Sequence, residues 1–449
     1  MPTVSTNPTS ANRAFPTGFL WGTASSSHQV EGHNVNNQWA AFERLPGAIA
    51  DGSTAGRACD WWSNAEADFD RMAALSLNVH RLSLEWSRIE PQPGRYDRDA
   101  LARYRAILTA LHDRGISPWV ALHHFTNPLW LEAQGGWENP AVVPRFTAYA
   151  RVAADHLGDL CTTWLTFNEP LVYLGQGWIR GAWPPQRPHP IRARRVFLHL
   201  LRAHAAAYRA IHAARPTVQV SIAKAMRRFA PLRPGHPGDR VAAWLRRYLY
   251  EDLWFAATVR GRILPPLGIG QFDASLANTL DFIGVNYYAR RWVRFSPDPR
   301  RIFAQEENPP GGELADPGNH GPATRFDPAG LTEAIRYVRA FGKPIYVTEH
   351  GLPDAADKRR PRWLLAHLAA LHQAIADGAD VRGYFHWTLV DNFEWTDGWS
   401  QRFGLIALDP VTQQRSPRPS AELYATIARA NAIPAHLLDA YAGPSLAES

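Results

Sequence analysis

Two glutamates in this sequence stand where chemistry is most easily built. Glu169 closes the apolar run Thr163 to Glu169, and Glu349 closes Pro344 to Glu349. Other polar and aromatic residues end or follow similar runs: Gln29 and Glu31, Arg81 and Glu85, His123 and His124, Asn168, Asn286 and Tyr288, His350, and the segment Trp387 to Trp395. A lone Glu at a strand end reads equally as an ion-pair partner. A pair surrounded by amides and indoles suits glycoside hydrolysis, in which one carboxyl donates a proton to the leaving oxygen and the other, ionised, attacks the anomeric carbon. Their environments must then push the two pKa values apart. Arg81 is a fixed cation able to hold Glu349 ionised, and Tyr288 can donate a hydrogen bond to the same carboxylate. Glu169, followed by Pro170 and set near Trp164 and Phe167, is expected to favour its neutral form. No Cys/His set has zinc spacing, and neither a GxxxxGK[ST] loop nor a GxSxG elbow occurs.

Eight short apolar runs must position these residues: Phe19 to Trp21, Val79 to Trp86, Ser117 to His124, Thr163 to Glu169, Val218 to Ala223, Asp281 to Tyr288, Pro344 to Glu349 and Val381 to Trp387. Amphipathic stretches with helical period lie between them, such as Ala100 to Arg114, stopped by Gly115, and Leu364 to Asp377, stopped by Gly378. Eight β-then-α units predict a single (β/α)8 barrel of the α/β class with its site at the C-terminal ends of the strands. An open doubly wound sheet would want a glycine-rich phosphate turn after an early strand, and Gly18 and Gly22 do not make one. The Pro- and Gly-rich stretch from Ser296 to Asp327 is too long for an idle connection and is expected to fold over the open end.

The 449 residues carry a formal charge of +7, with 45% hydrophobic and 20% charged residues, enough apolar material for a large core. Only three lysines occur (Lys224, Lys343, Lys358), so the basic residues are nearly all arginine, spread along the chain with no nucleic-acid module. Two cysteines, Cys59 and Cys161, exclude a disulfide framework. No apolar run is long enough to span a membrane. The polar start MPTVSTNPTSANRA is read as lacking a secretory signal, giving a cytoplasmic expectation. The 18 tryptophans exceed what core filling readily explains, and sugars are held well by flat aromatic faces.

The segment Thr166-Phe167-Asn168-Glu169-Pro170 resembles the TFNEP motif of family 1 glycoside hydrolases, the β-glucosidase and β-galactosidase family. FLWGTASSSHQVEG (Phe19 to Gly32), DFIGVNYY (Asp281 to Tyr288), YVTEHG (Tyr346 to Gly351), WTLVDNFEW (Trp387 to Trp395) and RFGL (Arg402 to Leu405) resemble further motifs of that family, in order, from about Phe15 to Ile433. The resemblance implies that Glu169 is the acid/base and Glu349 the nucleophile of a retaining mechanism, with carboxyls about 5 to 5.5 Å apart. It implies that Asn168 binds the sugar 2-hydroxyl, that Gln29, His124, Glu394 and Trp395 fix the other hydroxyls, that Trp387 stacks on the sugar face, and that Asn286 and Tyr288 complete the shell behind the nucleophile. It implies no metal and no organic cofactor.

Structural alternatives stand beside these roles. Gln29 could tie the first strand to a loop, and His124 could be a core histidine. His123, Trp61, Trp62 and Trp137 read as packing, and Asp391 and Asn392 as supports for the loop bearing Glu394. Three departures from the family pattern are visible. His350 follows the nucleophile where Asn is usual, and Phe125 follows His124 where Trp is usual. Trp178 and Trp183 add bulk, either as a platform for the leaving group or as a rigid plug. Glu394, a carboxylate near the sugar 6-position, and the absence of Ser and Lys there imply an unphosphorylated substrate. The expected organisation is a disordered tail over 1–14, the hydrolase domain over 15–433 and an extension over 434–449. The leading expectation is an exo-acting β-glycosidase on a small-molecule β-glycoside. A transglycosylase using the same residues and a silent sugar-binding protein are the alternatives.

Overall fold

The eight runs become the staves of one closed parallel barrel in a computed structural model that describes residues 11–308 and 326–440. The barrel strands are β1 (Leu20–Ala24), β2 (Val79–Ser83), β3 (Ser117–Ala121), β4 (Thr163–Asn168), β5 (Gln219–Ala225), β6 (Ile283–Asn286), β7 (Ile345–His350) and β8 (Val381–His386). Each pairs with its neighbours in the chain, and β8 closes the cylinder on β1, with Gly383 opposite Leu20 and His386 opposite Thr23. The two-residue alternation of a strand sends one set of side chains inward and the other toward the helices.

Inward, Val79, Trp119, Leu165, Phe282, Tyr346 and Phe385 fill the barrel. The Trp119 ring lies 4.8 Å from Tyr346, 4.9 Å from Phe385 and 5.3 Å from Phe282, so the lower barrel is a packed aromatic floor. Outward, Trp164 and Phe167 pack into the barrel–helix layer instead. That corrects the expectation that these two rings surround Glu169.

The helices follow their apolar period. Arg98–His112 is capped by Asp97, whose carboxylate accepts from the amides of Asp99 and Ala100, and it buries Leu101, Tyr104, Ile107, Leu108 and Leu111. Gly115 and Gly378 follow the two helices in the left-handed conformation expected of a stop, at φ +69° and +90°.

The expected tail boundary needs correction. Residues 1–10 lie outside the described residues, but Arg13–Ala14 pair antiparallel with Ala432–Ile433. Beyond Ile433, Ala435–Ala440 is helical and the Ala435 amide donates to Asn12. Of the stretch from Ser296 to Asp327, residues 309–325 lie outside the described residues. Ala304–Glu306 pairs with Arg291–Phe295, which pairs with Phe229–Pro231 in a small sheet whose Arg291 and Glu306 face the barrel's open end.

Gly22 on β1 lies so close to β2 that a Cβ there would overlap the Val79 carbonyl. A strand backbone cannot yield as a flexible side chain does. Gly22→Ala is expected to cost about 3 kcal/mol in denaturant unfolding.

Candidate active site

The C-terminal strand ends surround a cavity of about 570 Å³. His124, Asn168, Glu169, Asn286, Tyr288, Glu349, Trp387, Glu394 and Trp395 line it, so nine of the eleven residues expected from sequence converge there. Arg81 and Gln29 sit immediately behind the lining, both fully buried.

Glu349 is held from two sides. Arg81 Nη2 donates to Oε1 in a short ion pair, and the Tyr288 hydroxyl donates to Oε2 at 2.8 Å. Burial and the charge of Glu349 push the Tyr288 phenol well above its usual range, so it remains a donor. Arg81 Nη1 also donates to Asn168 Oδ1 at 3.0 Å.

Glu169 is placed differently. Its amide donates to the Ala223 carbonyl at 2.8 Å, and its backbone adopts the left-handed conformation, φ 44°. For a non-glycine residue that is strained, on the order of 1–2 kcal/mol. Phe125 (φ 70°) and Trp395 (φ 51°) line the same cavity in the same conformation. Burial, then the nearby charge of Glu349, raises the Glu169 carboxyl from 4.5 to about 7, opposed by the Asn286 hydrogen bond and by the charges of Arg227 and Lys224.

One amide orients the next. Thr348 Oγ1 donates to Asn286 Oδ1 (2.8 Å), which aims Asn286 Nδ2 at both Asn168 Oδ1 and Glu169 Oε1, each at 3.0 Å. Asn168 Oδ1 therefore accepts from Arg81 and Asn286, and its Nδ2 faces His124 Nε2 at 3.0 Å. Burial, followed by the Arg81 charge, holds His124 well below its usual pKa and thus neutral. Its Nε2 accepts, and the remaining proton rests on Nδ1.

Gln29 makes the tie that was one of its two expected roles. Its Nε2 donates to Asn392 Oδ1, the Phe393 carbonyl and Glu394 Oε2 at 3.2, 2.8 and 3.0 Å, joining the turn after β1 to the loop after β8. Asp391 accepts from the Gly404 amide and pairs with Arg418, supporting that loop. Burial, then the charges of Asp397 and Glu349, raises Glu394 to about 8.

The departures resolve individually. His350 points away from the cavity: its Nδ1 meets the Tyr384 hydroxyl at 2.8 Å and its ring stacks on Trp363 at 4.2 Å. It belongs to the packing of β7 against the helix Arg360–Ala376, not to the surroundings of the carboxyls. Trp178 is a plug, buried against Tyr173 with its indole N–H on Glu138 at 3.0 Å. Trp183 lines the cavity beside Phe125 and Trp395, its N–H reaching Thr396. The tryptophan excess is mostly packing, because only Trp183, Trp363, Trp387 and Trp395 reach the cavity.

Sequence reasoning missed Lys224 and Arg227, which oppose the rise at Glu169. The expected fifth strand stopped at Ala223, whereas β5 runs to Ala225. One residue more would have put Lys224 at a strand end, where polar residues are read as functional. Among the described residues, no group of three or more His, Cys, Asp or Glu is placed to hold a metal, and no helix is long and apolar enough to cross a membrane.

A closed parallel barrel with a buried and a partly buried carboxyl at its C-terminal mouth, one fixed by a cation and the other driven toward its acid form, defines the glycoside hydrolase class. Residues 11–433 match the model of glycosyl hydrolase family 1, and the chain belongs to that family. It is 30% identical to beta-glucosidase A of Thermotoga maritima, over 94% of this chain and 99% of that protein. It is 31% identical to a beta-galactosidase of Sulfolobus acidocaldarius, over 94% and 97%. The solved beta-glycosidase from Pyrococcus horikoshii superposes with a TM-score of 0.89 at 35% identity, covering 97% of this chain and 99% of that one.

The raised pKa of Glu169 has a stability consequence. The native state holds its proton more tightly than the unfolded chain, so this contribution is fully present below pH 4.5 and is lost as pH rises through about 7. Glu169→Gln is therefore expected to raise stability at pH 8 by on the order of 2 kcal/mol and to change it little at pH 4, read from thermal unfolding at the two pH values.

Proposed function

We propose that the chain is a retaining, exo-acting β-glycosidase of the β-glucosidase type, acting on unphosphorylated small-molecule β-glycosides. The observation that carries this is the opposed setting of the two carboxyls: Glu349 bound by Arg81 and Tyr288, Glu169 partly buried and raised to about 7. In the first step a Glu349 oxygen bonds to the anomeric carbon. The bond from that carbon to the leaving oxygen breaks, and Glu169 gives its proton to that oxygen. In the second step Glu169 takes a proton from water, whose oxygen displaces Glu349 and regenerates both residues.

Asn168 and His124 meet the sugar's hydroxyls, Glu394 and Trp395 its far end, and Trp387 its face, while Gln29 holds Glu394 in place. His124 and Trp387 already lie nearly parallel, 27° apart. The working hydrolase unit reaches back beyond residue 15, because Arg13–Ala14 pair with Ala432–Ile433. The buried, unpaired Cys59 and Cys161 support a reducing, cytoplasmic setting.

Aryl β-glycosides test this directly. Glu349→Gln should lower turnover of an aryl β-glucoside by about 10⁴-fold or more. Wild-type kcat/KM should fall on the alkaline side with a pKa of about 7, set by loss of the Glu169 proton. Glu169→Gln should abolish that limb while still releasing dinitrophenol, a leaving group that needs no proton. Full activity in Glu349→Gln would refute the assignment. Separately, Trp183→Ala should change the preference among leaving groups several-fold, measured as kcat/KM ratios across a panel of aglycones, and Trp178→Ala should instead lower thermal stability by about 3 kcal/mol.

A further inference from the structure

A second cavity, of about 270 Å³, lies beside the first. Apolar side chains such as Phe197, Phe229, Leu249, Leu253 and Ile302 line most of it. Val172, Gln176, Arg180, Arg227 and Glu306 line both cavities, so they form the wall between them. Arg291 faces the large cavity and Arg246 the small one.

The charges on this wall do not balance. Glu306 lies 3.8 Å from both Arg180 and Arg291, long for an ion pair, and it is the one carboxylate among the described residues lining the smaller cavity. Glu251, the next acid, is taken by Arg228 at 2.8 Å. Arg246 is anchored through Nη2 on the Arg301 and Ala304 carbonyls, and Arg227 lies over the Tyr250 ring at 4.9 Å. The buried Nε atoms of Arg246 and Arg291 have no hydrogen-bond partner among the described residues. Although burial opposes it, the charges of Arg291, Arg227, Arg180 and Arg246 hold the Glu306 carboxyl below its ordinary range. Burial and the neighbouring Arg227 depress Arg291 to about 10. Both effects express excess positive charge in a low-dielectric wall, which an anion would relieve.

We propose that this wall is an aglycone subsite for an anionic oxygen group, met from the larger cavity by Arg180, Arg227 and Arg291, with Arg246 adding its charge from the other side of the wall. The subsite rests on the reading of the larger cavity as a β-glycosidase site. Guanidinium forks match the paired oxygens of a carboxylate or a phosphonate, and either bound there gains charge-assisted hydrogen bonds that a neutral group lacks. Substrates of this kind are glycosides of aryl or alkyl acids, amphiphiles with one charged end.

Three aryl β-glucosides test it, carrying para 2-carboxyethyl, 2-phosphonoethyl or 2-carboxamidoethyl groups. Two methylenes insulate the ring, so the three leaving phenols have nearly the same acidity. At least one anion should exceed the amide in kcat/KM by about tenfold, and the faster anion identifies the group. The anion-to-amide ratio should fall toward one at high salt and in Arg180→Gln, a side chain exposed enough to be replaced without unfolding the protein. Arg246→Gln should lower the same ratio. Hydrolysis of all three at equal rates, or a ratio unmoved in both variants, overturns the subsite and leaves the glycosidase reading standing. A protein that hydrolyses none of the three refutes that reading, and the subsite falls with it.

Discussion

The arrangement at the barrel mouth depends on one buried guanidinium. Arg81 has no exposed surface, and it grips Glu349 with one nitrogen and Asn168 with the other. Taking a cation out of water is costly unless an anion and acceptors meet it in good geometry. Here both are supplied by different staves, Glu349 from β7 and Asn168 from β4, so the ion pair also fixes the position of those strand ends across the cylinder. Removing either partner would leave a buried charge without compensation, which is the expensive case.

With one carboxylate neutralised in this way, the others in the same cavity are left to burial. Glu169 and Glu394 both rise, to about 7 and about 8, and in each case loss of water is the main cause. The site thus contains three acids in two conditions: buried Glu349 with a dedicated cation, and partly buried Glu169 and Glu394 pushed toward the protonated form. Arg227 and Lys224 moderate Glu169, and Lys224 itself is lowered to about 7 by burial. Small shifts in these groups propagate, because the charge of Glu349 raises both Glu169 and Glu394.

Much of this was legible in the sequence because period and position carry it. Eight short apolar runs separated by amphipathic stretches mark the staves, and the residues at or just after their ends include nine cavity-lining side chains. What the sequence could not supply was the direction of individual side chains near those ends. Trp164 and Phe167 flank Glu169 in the chain yet face the helices, and His350 follows Glu349 yet packs on Trp363. Trp178 and Trp183, five residues apart, take opposite roles for the same reason. The arginine wall was invisible because its members come from separate segments, and only the fold brings Arg180, Arg227, Arg246 and Arg291 around Glu306.

The aromatic floor beneath Glu169 and Glu349 has a consequence for the order of events. With Trp119 packed between Phe282, Tyr346 and Phe385, the chamber is closed toward the barrel interior. Whatever enters last must depart first. The departing alcohol has to vacate the doorway before a water molecule can take its place, and the freed monosaccharide, deepest of all, leaves only when that same doorway is open.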